Sequence, residues 1–321
     1  QEGGLVDLRQ TQQVMLRNTA QAALRGFGTW WMDLPAQGWF NDARIWDEME
    51  RLAPVDKAMA RRQRPFTPEI AAIVDEDSMC HLPGGSAVMA RPLIYEGRAA
   101  LGRSGAPYGQ YLLEDVAAGK VPAKLQVFLS AWALTPEERA GLAARRADGA
   151  TRVWCYAPGY VYADRVDAAG IREVTGFEAR EVSLEKAEVT PTEAGRKLGL
   201  TEGWGVPAQI APLFAVTATP AAVAMRRTGK GVDVFVGVPK LTPELVRALA
   251  KVAGVHLYTE DNSAVWAAEG YISIQAHKAG PVVVDTGKKG PVKDALEGNT
   301  LGAGPRVTVE FAQGETKVLG E

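Results

Sequence analysis

The sequence predicts an α/β protein organised around a parallel sheet, and three stretches carry that expectation. Lys124 to Gly159 reads strand, helix, strand. Gly231 to Tyr258 repeats the same order. The tail after about Tyr271 is a series of short strand-like runs punctuated by Gly and Lys.

In the first stretch Leu125, Val127, Phe128 and Leu129 form a nearly continuous apolar run, as a strand covered on both faces requires. Leu134-Thr135-Pro136-Glu137-Glu138 opens a helix. Thr135 caps the first free N–H groups, Pro136 fits the first turn, and Glu138 closes a capping box. Asp148-Gly149 offers a left-handed exit. Val153, Trp154, Cys155 and Tyr156 make the second apolar run, stopped by Pro158-Gly159. A crossover of this length between buried strands implies a parallel, right-handed pair.

The other elements are placed around that unit. Residues 5 to 25 suit a helix covering a sheet, with Val14, Met15, Ala22 and Ala23 in a polar background and Gly26 at its end. Phe27 to Asp33 is strand-like and closes on a carboxylate. A loop through Gly38 leads to a helix from about Asp42 to Ala60, with an apolar stripe of Ile45, Trp46, Met49, Leu52 and Ala53. Arg61 to Pro65 is a charged linker. Ile70 to Val74 is a buried strand running into an acidic loop, Asp75 to Ser78. Helices are expected between Ala87 and Leu101 and between Pro107 and Ala118. Asp164 to Thr175 is a short helix or turn, Arg180 to Gln209 shows no sustained period, and Ile210 to Val216 is expected to pair with Ala222 to Arg227. Gly231 to Gly237 is a strand, Thr242-Pro243 caps a helix, and Val255 to Tyr258 is the next strand. The tail suits a small β-sandwich or edge strands on the preceding domain.

Length and composition narrow the function. A chain of 321 residues holds two or three domains. Its 46% hydrophobic and 23% charged content is ordinary for a globular protein, and a formal charge of -2 gives no electrostatic case for nucleic acid or an anionic membrane. No apolar run approaches the roughly 20 residues of a membrane span. Gln1 stands where an initiator Met would, and Thr11 to Leu24 read like the middle of a fold, so the chain is expected to be the C-terminal portion of a longer protein. Two cysteines, Cys80 and Cys155, make no disulfide framework and leave the compartment open.

Nucleophile and metal signatures are weak. Cys155 lies inside a strand in Val-Trp-Cys-Tyr-Ala, without the glycines a strained nucleophile turn uses, and reads as a buried structural thiol. His81, His256 and His277 have no i, i+4 partners, and no Gly-rich phosphate loop follows a strand. Asp75-Glu76-Asp77 fits a solvated strand-end loop better than a cation site. No catalytic residue, metal site or cofactor is expected. Trp30, Trp31, Trp39 and Phe40 cluster instead with Asp33, Asn41 and Asp42. Flat aromatic faces beside carboxylates and amides suit a sugar, although tryptophans filling core explain the cluster equally well. Trp31, Asp33 and Trp39 are the candidate substrate contacts.

Thr29-Trp30-Trp31-Met32-Asp33 with Gly38-Trp39-Phe40-Asn41-Asp42 resembles the last barrel strand and loop of glycoside hydrolases related to family 42, the β-galactosidase-like enzymes. Pro107 to Asp115, Lys124 to Trp132, Val153 to Gly159 and Gly237 to Tyr258 resemble their second, trimerisation domain. That domain is flavodoxin-like, akin to class I glutamine amidotransferases without the triad. Val292-Lys293-Asp294 and Gly314-Glu315-Thr316 are similar to their small C-terminal β domain. The resemblance implies a barrel remnant over residues 1–62, a flavodoxin-like domain over 66–275 and a β domain over 276–321. It further implies a carbohydrate ligand and a homo-oligomer, a trimer by the family's naming. The two glutamates of such enzymes follow barrel strands four and seven, both before this chain begins. The alternative is a non-catalytic assembly or ligand-binding module whose amidotransferase-like fold has lost its nucleophile.

Overall fold

The computed structural model describes residues 7–34, 36–61, 65–82, 87–183, 188–206, 212–217 and 221–320. Contacts gather into two compact units: Gln1–Thr67, Arg103–Pro107 and Leu257–Glu321 form one, and Pro68–Gly102 with Tyr108–His256 the other.

The first unit opens with two helices. In α1 (Leu8–Leu24) the Asp7 carboxylate accepts from Gln10 N, and Met15, Leu16, Ala20, Ala23 and Leu24 are buried. In α2 (Ala43–Ala60) Asp42 caps the start, accepting from Arg44 N. Its buried stripe runs through Ile45, Glu48, Leu52, Val55 and Met59, so Trp46 is left 58% exposed. The strand expected over Phe27 to Asp33 does not form. A strand needs a neighbour to take its N–H and C=O groups, and this segment has none among the described residues.

The second unit is α/β. Its elements are β1 (Ile70–Val74), α3 (Glu76–Cys80), α4 (Ala87–Ala90), a π-helical turn Arg91–Tyr95, α5 (Glu96–Gly102), β2 (Tyr108–Leu112), α6 (Leu113–Ala117), β3 (Leu125–Phe128), α7 (Pro136–Ala144) and β4 (Thr151–Cys155). Then come α8 (Ala169–Thr175), β5 (Ala179–Val182), β6 (Glu188–Val189), α9 (Glu193–Lys197), β7 (Trp204–Gly205), β8 (Leu213–Val216), β9 (Val223–Thr228), β10 (Gly231–Val236) and α10 (Pro243–Val252). Six strands make the main sheet in the order β2-β1-β3-β4-β10-β9, parallel except for β9. The capping box at Thr135 and Glu138 is present on both sides.

Several expectations change here. The acidic loop after β1 is the short helix α3, because Asp75 accepts from Ser78 N and starts a turn with Glu76 and Asp77 at its positive end. Pro107 to Ala118 is not one helix: Tyr108–Leu112 lies parallel to β1 as an edge strand, in keeping with its aromatic residues. The helix over Ala87 to Leu101 forms but passes through the π turn, where Pro92 has no N–H to give. The expected pairing of Ile210–Val216 with Ala222–Arg227 is replaced. Ile210 lies outside the described residues, β8 pairs with β5, and β9 folds back on β10. With that edge of β10 occupied, Val255 to Tyr258 finds no sheet to join and forms no strand.

The first unit resumes with β11 (Ala264–Ala268), β12 (Tyr271–Gln275), β13 (Gly280–Asp294), β14 (Thr300–Phe311) and β15 (Thr316–Gly320). They form one antiparallel sheet in the order β11-β12-β15-β13-β14 rather than a sandwich. Val265, Ile274, Val284, Val309 and Leu319 fill its covered face. Helix α1 lies against this sheet: Thr316 N donates to Gln13 Oε1 at 2.6 Å, and Arg17 Nη1 to Gln275 Oε1 at 3.0 Å.

Candidate functional site

The loop after α1 gathers the residues chosen from the sequence. Asp33 is its organising group. Its carboxylate accepts from Gln37 N at 3.2 Å, Gly38 N at 2.6 Å and Trp39 N at 3.0 Å. An aspartate can fold a short loop on itself in this way because an ionised carboxylate satisfies several backbone donors at once. Its oxygens therefore hold the loop that carries Trp39. Trp39 is 56% exposed, Trp30 75% exposed and Trp31 half-buried. Trp31 meets Phe40 edge-on at 6.4 Å, and Phe40 meets Trp46 at 6.5 Å. The result is an edge-to-face cluster of Trp31, Phe40 and Trp46 beside an acid-braced loop whose exposed Trp39 ring is able to stack on a flat apolar face.

A second place is set by the sheet. Strand order reverses between β1 and β3, and in open α/β sheets ligands bind in the crevice at the carboxyl ends of such strands. Here the crevice is filled from within. Ser78 Oγ and N both donate to Asp75 Oδ2, Asp75 N donates to Ser130 Oγ, and Ala133 N donates to Ser78 Oγ. Trp132 Nε1 donates to Ser78 O, and its ring is buried. Burial raises the Asp75 carboxyl above the ordinary carboxylate range against the lowering effect of Ser78, and Asp77 adds to the rise. Glu138 is raised too, first by burial and then by Asp75 and Asp77. The sequence showed this group as Asp75-Glu76-Asp77-Ser78, but an Asp followed by two acids and a Ser is also a helix start, and that is its role.

Cys155 ends β4 with its thiol buried and pushed up to about 12 by desolvation. The left-handed residue beside it is Tyr156, φ 67°, whose ring packs on Phe214 and whose hydroxyl donates to Pro212 O. A strained turn does follow this strand, but it does not expose the sulfur. Among the described residues no group of three or more His, Cys, Asp or Glu is arranged to hold a metal ion. Nor, among them, is any helix long and apolar enough to cross a membrane.

No protein-family model matches the chain, and no curated protein does. Solved structures do. The β-galactosidase from Bacillus circulans sp. alkalophilus is similar at 16% identity and a TM-score of 0.60, over 86% of this chain and 45% of its own. Gan42B, a GH42 β-galactosidase from G. stearothermophilus, gives 18% and 0.61 over 88% of this chain and 44% of its own. The cold-adapted β-galactosidase from Rahnella sp. R3 gives 19% and 0.62 over 87% and 45%. The chain thus shares the fold of part of these GH42-type proteins and spans less than half their length.

Proposed function

We propose that this chain is the C-terminal part of a glycoside hydrolase of the family 42 β-galactosidase kind, acting on β-linked sugars when whole. The observation that carries this is the coverage: 86% to 88% of the chain superposes on β-galactosidases, and accounts for only 44% to 45% of each of them. In this reading residues 1–62 end a (β/α)8 barrel, with Trp31 and Trp39 forming part of the sugar-site wall and Asp33 fixing the loop between them. Both catalytic glutamates belong to the barrel strands that come before. Residues 68–102 and 108–256 are the flavodoxin-like, amidotransferase-like assembly domain, shorter than the 66–275 that the resemblance implies because β11 and β12 pair within the tail sheet. Supporting this is the order β2-β1-β3-β4-β10, five parallel strands in the 2-1-3-4-5 arrangement of that fold. The small β domain is the tail sheet from β11 to β15, beginning at Ala264 rather than at 276.

The test is the reading frame upstream of residue 1, expressed with this chain as one polypeptide and assayed on a nitrophenyl β-D-galactoside. Hydrolysis abolished by Gln at either of two strand-end glutamates is the expected result. An upstream frame that encodes no such barrel sinks the proposal.

The alternative, an assembly module without catalysis of its own, draws support from the filled crevice at Ser78 and Trp132 and from the buried Cys155 thiol. Light scattering separates its self-associating form from a solitary one. A clean monomer at micromolar concentration removes the assembly role.

A further inference from the structure

The first unit contains a cleft of about 480 Å³, lined by Pro54, Val55 and Ala58 of α2 and by Tyr271, Lys293 and Gly320 of the antiparallel sheet. That volume falls within the ~300–1,000 Å³ typical of small-ligand sites. Strand register explains how the cleft arises. Tyr271 lies opposite Gly320, and Gly320 opposite Lys293. Residues directly opposite share a face, so an aromatic ring and an ammonium flank a position with no side chain, and α2 supplies an apolar wall.

Gly320 is not there for its backbone. It has no positive φ, and the nearest atoms to an added Cβ would be the Tyr271 ring at 3.7 Å and Ala295 Cβ at 4.0 Å, ordinary contact distances. The position is bordered by the Tyr271 ring and Ala295 rather than by close backbone, so a larger side chain there would project into the cleft.

The charges around it are unequal. Asp294 Oδ1 is engaged by Leu296 N at 2.9 Å and Glu297 N at 3.1 Å, and Glu297 pairs with Arg51 at 2.9 Å. Lys293, exposed at the rim, makes no ion pair among the described residues. A ligand that stacks on Tyr271 and lies across Gly320 therefore meets an uncommitted cation two strands further along.

We propose that this cleft binds an anionic pyranose, its ring against Tyr271 and its carboxylate on Lys293. The choice of a sugar ring rests on the glycoside hydrolase reading, while the anionic group rests on Lys293. The probes are galacturonate and galactose, titrated into the 321-residue chain and followed by amide chemical shifts. Galacturonate is expected to shift Tyr271, Lys293 and Gly320 and to bind about tenfold more tightly than galactose. Lys293→Met removes that preference, and Gly320→Leu abolishes binding of both with an unchanged circular dichroism spectrum. The proposal is overturned if galacturonate produces no shifts, or if its binding survives Gly320→Leu. It is equally overturned if Lys293→Met keeps the preference, or if acetate competes as well as galacturonate does. None of these outcomes touches β-galactoside hydrolysis, so this inference can fail while the hydrolase proposal stands, and the converse.

Discussion

A carboxylate buried at a strand end binds its proton more tightly than it does in the unfolded chain, and Asp75 is such a group. With its folded pKa raised above 3.8, the folded state holds more protons in the window just above that value. Stability attributable to Asp75 is therefore fully present below the unfolded pKa and lost as pH rises through the folded one. Asp75→Asn keeps an acceptor for Ser78 and removes the charge. Urea midpoints measured from acid to neutral pH should lose the part of the falling slope that Asp75 contributes, leaving that of Glu138. Asp75→Ala instead strands the Ser78 donors and should cost about 1–3 kcal/mol. An unchanged slope in the Asn variant would contradict the burial argument. The two thiols give a second prediction at this scale. Cys80 is exposed and Cys155 is buried, so a thiol reagent should titrate one group in the native chain and two after unfolding. A fast second equivalent under native conditions would show that the end of β4 opens readily.

Among the elements, α7 is where sequence and structure agree most closely. Thr135 Oγ1 accepts from Glu138 N at 3.2 Å, and Thr135 N donates to Glu138 Oε2 at 2.8 Å. Thr135→Ala should lower stability by about 1 kcal/mol in denaturant melts, and Thr135→Ser should restore most of it. A cap of this kind is legible because all its partners lie within four residues. The buried runs of β1, β3, β4 and β10 were legible for a related reason: strands covered on both faces must be apolar throughout. Other elements depend on distant partners. β2 is a strand because β1 offers an edge, and Val255 to Tyr258 is not one because β9 has taken the edge of β10. The candidate site divides in the same way. The aromatic residues of the Trp31–Trp39 loop could be read from the chain, but the inward turn of Asp33 toward Gly38 and Trp39 depends on loop geometry. Asp33→Ala should speed amide exchange at Gly38 and Trp39 while leaving α1 and α2 protected. Unaltered exchange there would remove Asp33 as the brace of that loop.

At the scale of the whole molecule, the two units differ in how the chain supplies them. The α/β unit needs residues 68 to 256 only, apart from the excursion Arg103–Pro107. The other is assembled from the two ends of the chain and that short excursion. A unit whose strands all pair with one another and whose core is its own should fold by itself. Here Ile73, Phe128, Trp154, Val234 and Phe235 are each at most 2% exposed, and Phe128 stacks on Trp154 at 4.1 Å. Expressed alone, residues 66–258 should therefore unfold in urea as one cooperative transition, with coincident fluorescence and circular dichroism curves. The complementary expectation concerns residues 27 to 46, where Phe27, Trp30, Leu34, Trp39 and Trp46 are all more than half exposed. Large apolar side chains exposed together in one segment favour association. The full chain should consequently bind a hydrophobic dye more strongly than the 66–258 piece, and replacing Trp30 and Trp39 with Ser should remove most of the difference. If the short piece instead binds the dye as strongly and melts without a cooperative transition, the α/β unit is not autonomous, and its stability must be sought in residues outside it.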